Sequence, residues 1–148
     1  MAKFIFRLQS FLSLKEKLEE QKKLEYGRAA AKFEREKQKL SALEAERDTV
    51  LREFSEKVKS KILPDEFARY NSYINVMKDR IIAQKQEVAK AAKEAEAKRL
   101  VLVEAMRERK SIQTLKDKDF EEYKEEEKHA EARVVDEIVS YRLTGEEE

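Results

Sequence analysis

Glu125, Glu126, Glu127 and His129 gather, within five positions, the residue types that ligate metals and move protons. A metal site of that kind needs more than one imidazole or thiolate among its ligands. His129 is the only histidine and cysteine is absent, so His129 reads as a surface residue. Carboxylates are abundant, 32 Asp and Glu in 148 residues, and pairs of them can perform general acid–base chemistry. That work requires one carboxyl whose pKa is raised by an apolar pocket. Acids interleaved with lysines on solvated faces, as in Lys15-Glu16-Lys17-Leu18-Glu19-Glu20, have no such pocket. The sequence also lacks a glycine-rich phosphate loop and a nucleophile set beside a base. It reads as a non-enzyme, with no catalytic, cofactor-binding or metal-ligating residues.

The charges exclude further classes. The 33 Lys and Arg nearly cancel the acids, for a net charge of +1. The two signs interleave throughout, whereas a nucleic-acid binder shows a basic stripe. Without cysteine there is no disulfide and no thiolate metal site, which suits a reducing compartment. No apolar run approaches the ~20 residues that span a bilayer. At the N-terminus, Arg7 and Gln9 interrupt what would otherwise resemble a signal-peptide core. The expectation is a soluble, cytoplasmic protein that does not insert into a membrane.

Charged residues make up 44% of the chain, with two glycines and one proline. Such a composition belongs either to a disordered chain or to long helices. Regular apolar spacing and the near absence of breakers favour helices. Pro64 sits near the midpoint, and proline ends one helix while suiting the first turn of the next. The fold class expected is all-α: two equal helices forming an antiparallel coiled-coil hairpin. The first helix spans about 3–62, the turn about 62–66, the second helix about 65–143, and a frayed acidic tail 144–148.

In the first arm an apolar stripe runs through Phe4, Leu8, Phe11, Leu18, Tyr26, Ala29, Phe33, Leu40 and Leu43. It continues through Arg47, Leu51, Phe54, Val58 and Ile62, where consecutive steps of four approach an eleven-residue repeat and predict a locally flattened supercoil. The second stripe runs through Phe67, Tyr70, Ile74, Met77, Ile81, Val88, Ala92, Ala95, Leu102 and Met106. Beyond a polar stretch it resumes at Phe120 and Tyr123, then Ala130, Val134, Ile138 and Tyr141. Apolar residues crowd both chain ends: Phe4, Ile5, Phe6, Leu8, Phe11, Leu12 and Leu14 at one, Val134, Val135, Ile138, Val139, Tyr141 and Leu143 at the other. In a hairpin of equal arms these clusters lie side by side. They either pack on each other or, flanked by Arg7, Arg133 and Arg142, insert into a partner. Gly27 reads as a tolerated helical glycine or as a point of close backbone approach. Tyr73, off the second stripe, is a candidate partner contact.

The opening Phe4-x-Phe6-Arg7-Leu8-Gln9-x-x-Leu12-x-x-Lys15-Glu16 resembles the start of the FliJ family, stalk proteins of the bacterial flagellar type III export ATPase complex, related to injectisome stalks. Tyr70-x-x-Tyr73-Ile74-x-x-Met77-x-x-x-Ile81-x-x-Gln84 and Asp136-Glu137-Ile138 extend the likeness over nearly the whole chain. The resemblance implies a coiled coil similar to that of the rotary-ATPase γ subunit. It implies that the terminal end sits in the pore of the hexameric export ATPase and promotes its assembly or activity. On this chain the pore contacts would be Phe4, Phe6, Arg7, Leu8, Phe11, Arg133, Val135 and Val139. A contact with the cytoplasmic domain of the export-gate membrane protein would fall on Tyr73, Met77, Arg80 and Gln84. Export chaperones are further partners so implied, and the location would be cytoplasmic, peripheral to the inner-membrane flagellar base. The reading from residues alone leaves an alternative: a coiled-coil scaffold or export chaperone that holds partner helices along its length, with no ATPase role. Pairing of two copies through the surplus apolar face is a third.

Overall fold

A computed structural model describes residues 3–146. It contains two helices, α1 (Gln9–Lys59) and α2 (Pro64–Gly145), which form an antiparallel helical hairpin. The break falls one turn earlier than the proline alone suggests. α1 ends at Lys59, with Lys57 and Lys59 in its last turn, where cations suit the negative end of the helix dipole. Ser60 closes it, its N–H donating to the Glu56 carbonyl (3.2 Å) and its hydroxyl to that of Lys57 (3.2 Å). Pro64 is the first residue of α2, the position where its missing N–H matters least. Asp65 and Glu66 complement the positive end, and the Phe67 N–H bonds to the Leu63 carbonyl at 3.0 Å.

The chain divides into two compact units, one made of Met1–Glu20 with Glu104–Glu148, the other of Gln21–Val103. In the second unit, partners descend α1 as they climb α2, the mark of antiparallel pairing. Lys57 meets Glu66 (3.9 Å), Lys32 meets Glu94 (3.5 Å) and Lys98 meets Glu25 (3.6 Å). Phe54 lies against Phe67 and Tyr70, with ring centroids 5.2 and 5.4 Å away.

Most covered positions in this unit fall on one line of alternating steps of three and four, with Glu25, Ala30, Glu44, Ala92 and Val103 at its edges. On α1 the line runs through Lys22, Tyr26, Ala29, Phe33, Glu36, Leu40, Leu43, Arg47, Val50 and Phe54. On α2 it runs through Tyr70, Ile74, Met77, Ile81, Gln84, Val88, Ala91 and Ala95, then Leu102. This is a heptad seam, broken on α2 where Lys98, between Ala95 and Leu102, is exposed. It replaces the expected eleven-residue stretch: Val50 faces the partner helix, while Leu51 and Val58 are 40% and 49% exposed. Likewise Ala91, 2% exposed, takes the buried place expected of Ala92. A seam must keep one phase on both helices to stay closed, and this overrides the locally more apolar choice. Gly27 has nothing within 4 Å of where a Cβ would stand, so no close backbone approach requires it.

In the first unit α1 starts at Gln9, not near residue 3. Residues 3–6 are non-helical, a turn follows at Arg7-Leu8, and the Gln9 N–H bonds to the Phe6 carbonyl at 3.1 Å. No Ser, Thr, Asp or Asn precedes the helix to cap it. The register differs from the sequence stripe here too: Leu12 is wholly buried and Phe11 is 43% exposed. Lys15 meets Glu108 at 2.8 Å. Arg109 grips both carboxylate oxygens of Glu19, its Nη2 donating at 3.4 Å, and this contact raises the guanidinium pKa.

The arms are unequal, 51 residues against 82. Because α1 begins at Gln9, the last turns of α2 run past it. Every residue from Lys128 to Glu146 is exposed. The terminal clusters therefore do not pack side by side as equal arms would require. α2 continues through Gly145, and the end of the expected tail, 147–148, lies outside the described residues.

Candidate partner-binding site

Among the described residues, no second helix runs alongside the free end of α2. Val134, Val135, Ile138, Val139 and Leu143 are 54%, 57%, 51%, 49% and 62% exposed. At 100° per residue these side chains and Tyr141 spread over roughly 200° of the circumference, about twice the stripe that faces one neighbouring element. Asp136, Glu137, Ser140, Thr144 and Arg133 occupy the remaining arc; Glu131 and Arg142 lie within the apolar one. An arc that wide suits enclosure from several sides better than a single helix alongside.

Residues 3–8 lie on α2 just before this free end. Phe4 is half-buried, its ring centroid 5.2 Å from that of Phe120 and 5.4 Å from that of Tyr123. Phe6 is buried. Burial, and then the Glu127 carboxylate, raise the Tyr123 pKa. Lys3, Phe4 and Ile5 line an open cavity with Glu126, Ala130 and Arg133. Of the residues that the sequence marks for a pore contact, Phe4 and Arg133 thus meet at one cavity. Arg7, Phe11, Val135 and Val139 are exposed, Leu8 is half-buried, and Phe6 is interior. Val134, Ile138, Tyr141 and Leu143 belong to the same exposed surface; their crowding was visible in the sequence, but not that α1 would stop short of them.

The second set lies near the turn. Tyr73 is 37% exposed and its hydroxyl donates to the Glu46 carboxylate, which raises the phenol pKa. Arg80 is exposed. Met77 is wholly buried. The Gln84 amide donates to the Glu36 carbonyl (3.0 Å) and carboxylate (2.6 Å). Two of the four therefore flank the seam and two fill it. Val76, 44% exposed beside Tyr73, adds apolar surface that the sequence did not single out. His129 is exposed, and its carbonyl accepts a 3.4 Å bond from Arg133 Nε. No described helix is long and apolar enough to cross a membrane.

The family profile described as flagellar FliJ protein matches residues 4–148. The chain belongs to the FliJ family. Among curated proteins, this FliJ-family chain is 26% identical over 133 residues to the flagellar FliJ protein of Bacillus subtilis (strain 168), covering 90% of each. Among solved structures it is similar to a chain described as a YscO homolog from Chlamydia trachomatis, with TM-score 0.54, 22% identity and coverage of 99% of this chain and 100% of that one. At that identity the likeness speaks for the shared two-helix fold.

Proposed function

We propose that this chain is a non-catalytic stalk and coupling subunit of the flagellar type III export apparatus, cytoplasmic and peripheral to the inner-membrane flagellar base. The observation that carries the reading is the unpartnered end of α2, with apolar residues over roughly 200° of its circumference. Such a helix satisfies its own backbone polar groups but leaves apolar area for a partner to cover. The hexameric export ATPase, whose central bore surrounds its occupant, is the partner assigned to it. Val135 and Val139 on the free end of α2 provide the contact, with Phe4, Arg7 and Phe11 lower down the same unit. Tyr73 and Arg80, which are exposed, meet the cytoplasmic domain of the export gate, while Met77 and Gln84 hold the seam beneath them. Export chaperones are further partners on this reading.

The test is the turnover of the cognate export ATPase with and without the purified chain. Wild type stimulates it; Val135→Asp/Val139→Asp does not, yet keeps the wild-type melting temperature, because both sites are solvent-exposed in the free chain. Full stimulation by that variant refutes the bore contact.

A further inference from the structure

The start of α1 has two self-consistent registers, and the structure displays one of them. Counted back from Leu12, the heptad seam continues to Leu8 and Ile5. A helix extended to Lys3 would therefore place Ile5 in the seam and turn Phe6 outward. In the structure the reverse holds: Ile5 is 84% exposed and Phe6 only 6%. Each register buries one large side chain and exposes the other. Neither start is pinned by a cap, since Leu8, whose carbonyl accepts the first intrahelical bond from Leu12 (2.9 Å), is a poor capping residue. No acid lies in the first turn to hold it electrostatically. The docked register is anchored by the burial of Phe6, with Phe4 resting on Phe120 and Tyr123 beside it. The helical one adds backbone bonds at Arg7, Leu8, Ser10 and Phe11, whose N–H groups precede or open the present helix.

We infer that Lys3–Leu8 is a two-register strap, which docks on α2 with Phe6 inside in the free chain and becomes helical, with Ile5 in the seam and Phe6 displayed, when a partner with an apolar concave surface takes hold of this end. The free-chain equilibrium stands on the geometry alone; the coupling to a partner rests on the stalk reading. It also explains how Phe6, hidden in the free chain, becomes a contact.

Amide hydrogen exchange in the full chain reads the register directly. In wild type the amides of Arg7, Leu8, Ser10 and Phe11 exchange nearly as fast as in a peptide. Phe6→Ser removes the docked anchor and slows them by about tenfold or more. Adding Ile5→Asp, which places a carboxylate in the seam, returns them to fast exchange. Fast exchange in Phe6→Ser, or equal protection with and without Ile5→Asp, overturns the inference. With the export ATPase bound, the same wild-type amides become protected, and Ile5→Asp lowers stimulation without changing the melting temperature. A bound complex whose amides stay fast overturns the coupling. Failure of every variant and of wild type to bind overturns the stalk reading instead, and the free-chain exchange then decides the strap by itself.

Discussion

Leu12 and Phe11 are adjacent, both large and apolar, and their roles are opposite to those suggested by the spacing Phe4, Leu8, Phe11. Leu12 is wholly buried and Phe11 is 43% exposed. Truncating a buried leucine to alanine costs ~2–5 kcal/mol, depending on how far the site collapses. Two helices held along one seam relax more readily than a multilayered core, so Leu12→Ala belongs at the low end, ~2–3 kcal/mol. A little over half of Phe11 is covered, worth ~1–1.5 kcal/mol by the burial scale. Alanine's better helix propensity returns ~0.5 kcal/mol of that, leaving a cost of ~0.5–1 kcal/mol for Phe11→Ala. For a chain of this size each kcal/mol moves the melting temperature by ~2–4 °C. Leu12→Ala should thus melt roughly 4–12 °C lower, and Phe11→Ala within about 4 °C of wild type. Urea unfolding followed by circular dichroism, with the m-value compared between variants, gives the free energies; exchange of amides in residues 9–20 localises the loss to this unit. A Phe11→Ala cost equal to or above that of Leu12→Ala would refute the register.

Three further outcomes are expected. Gly27→Ala stabilises the chain by ~0.5–1 kcal/mol, since the helix gains a better former and the added methyl meets nothing; a lower melting temperature would show that Gly27 is needed for its backbone. The side-chain bond from Gln84 holds the Glu36 carboxyl below its ordinary value of 4.5, with help from Lys39 and Lys32 and against the effect of burial. A depressed folded pKa contributes stability that is present above the unfolded value and lost as pH falls through the folded one. The melting-temperature gap between wild type and Gln84→Ala should therefore be full at neutral pH and shrink below about 4.5; a gap that widens on acidification contradicts the assignment. Arg109→Gln breaks the two-pronged contact with Glu19 and lowers the melting temperature at low ionic strength. In about 1 M salt the difference narrows, because partly exposed ion pairs are screened. A salt-independent loss would mean that Arg109 acts through packing of its stem.

Composition and one proline were enough to determine two helices and where the second begins. Few breakers, apolar steps of three and four, and Pro64 followed by two acids all act through local backbone chemistry, which short-range sequence encodes. The family likeness was legible too, in the opening motif. Met77 and Ile81 were recognisable as interior because their spacing and apolarity agree. The choices between near-equivalent neighbours were not: Leu12 over Phe11, Val50 over Leu51, Ala91 over Ala92. Each depends on which face the other helix presents several dozen residues away, and one common phase must serve the whole seam. The same is true of the candidate site. Apolar crowding at both ends was visible, but whether the two clusters cover each other depends on where α1 starts relative to α2. That start is set by Phe4 finding a place on Phe120 and Tyr123, a contact across more than a hundred residues, and by the burial of Phe6. The sequence alone determined the elements; tertiary packing decided which apolar residues are core and which remain free for a partner.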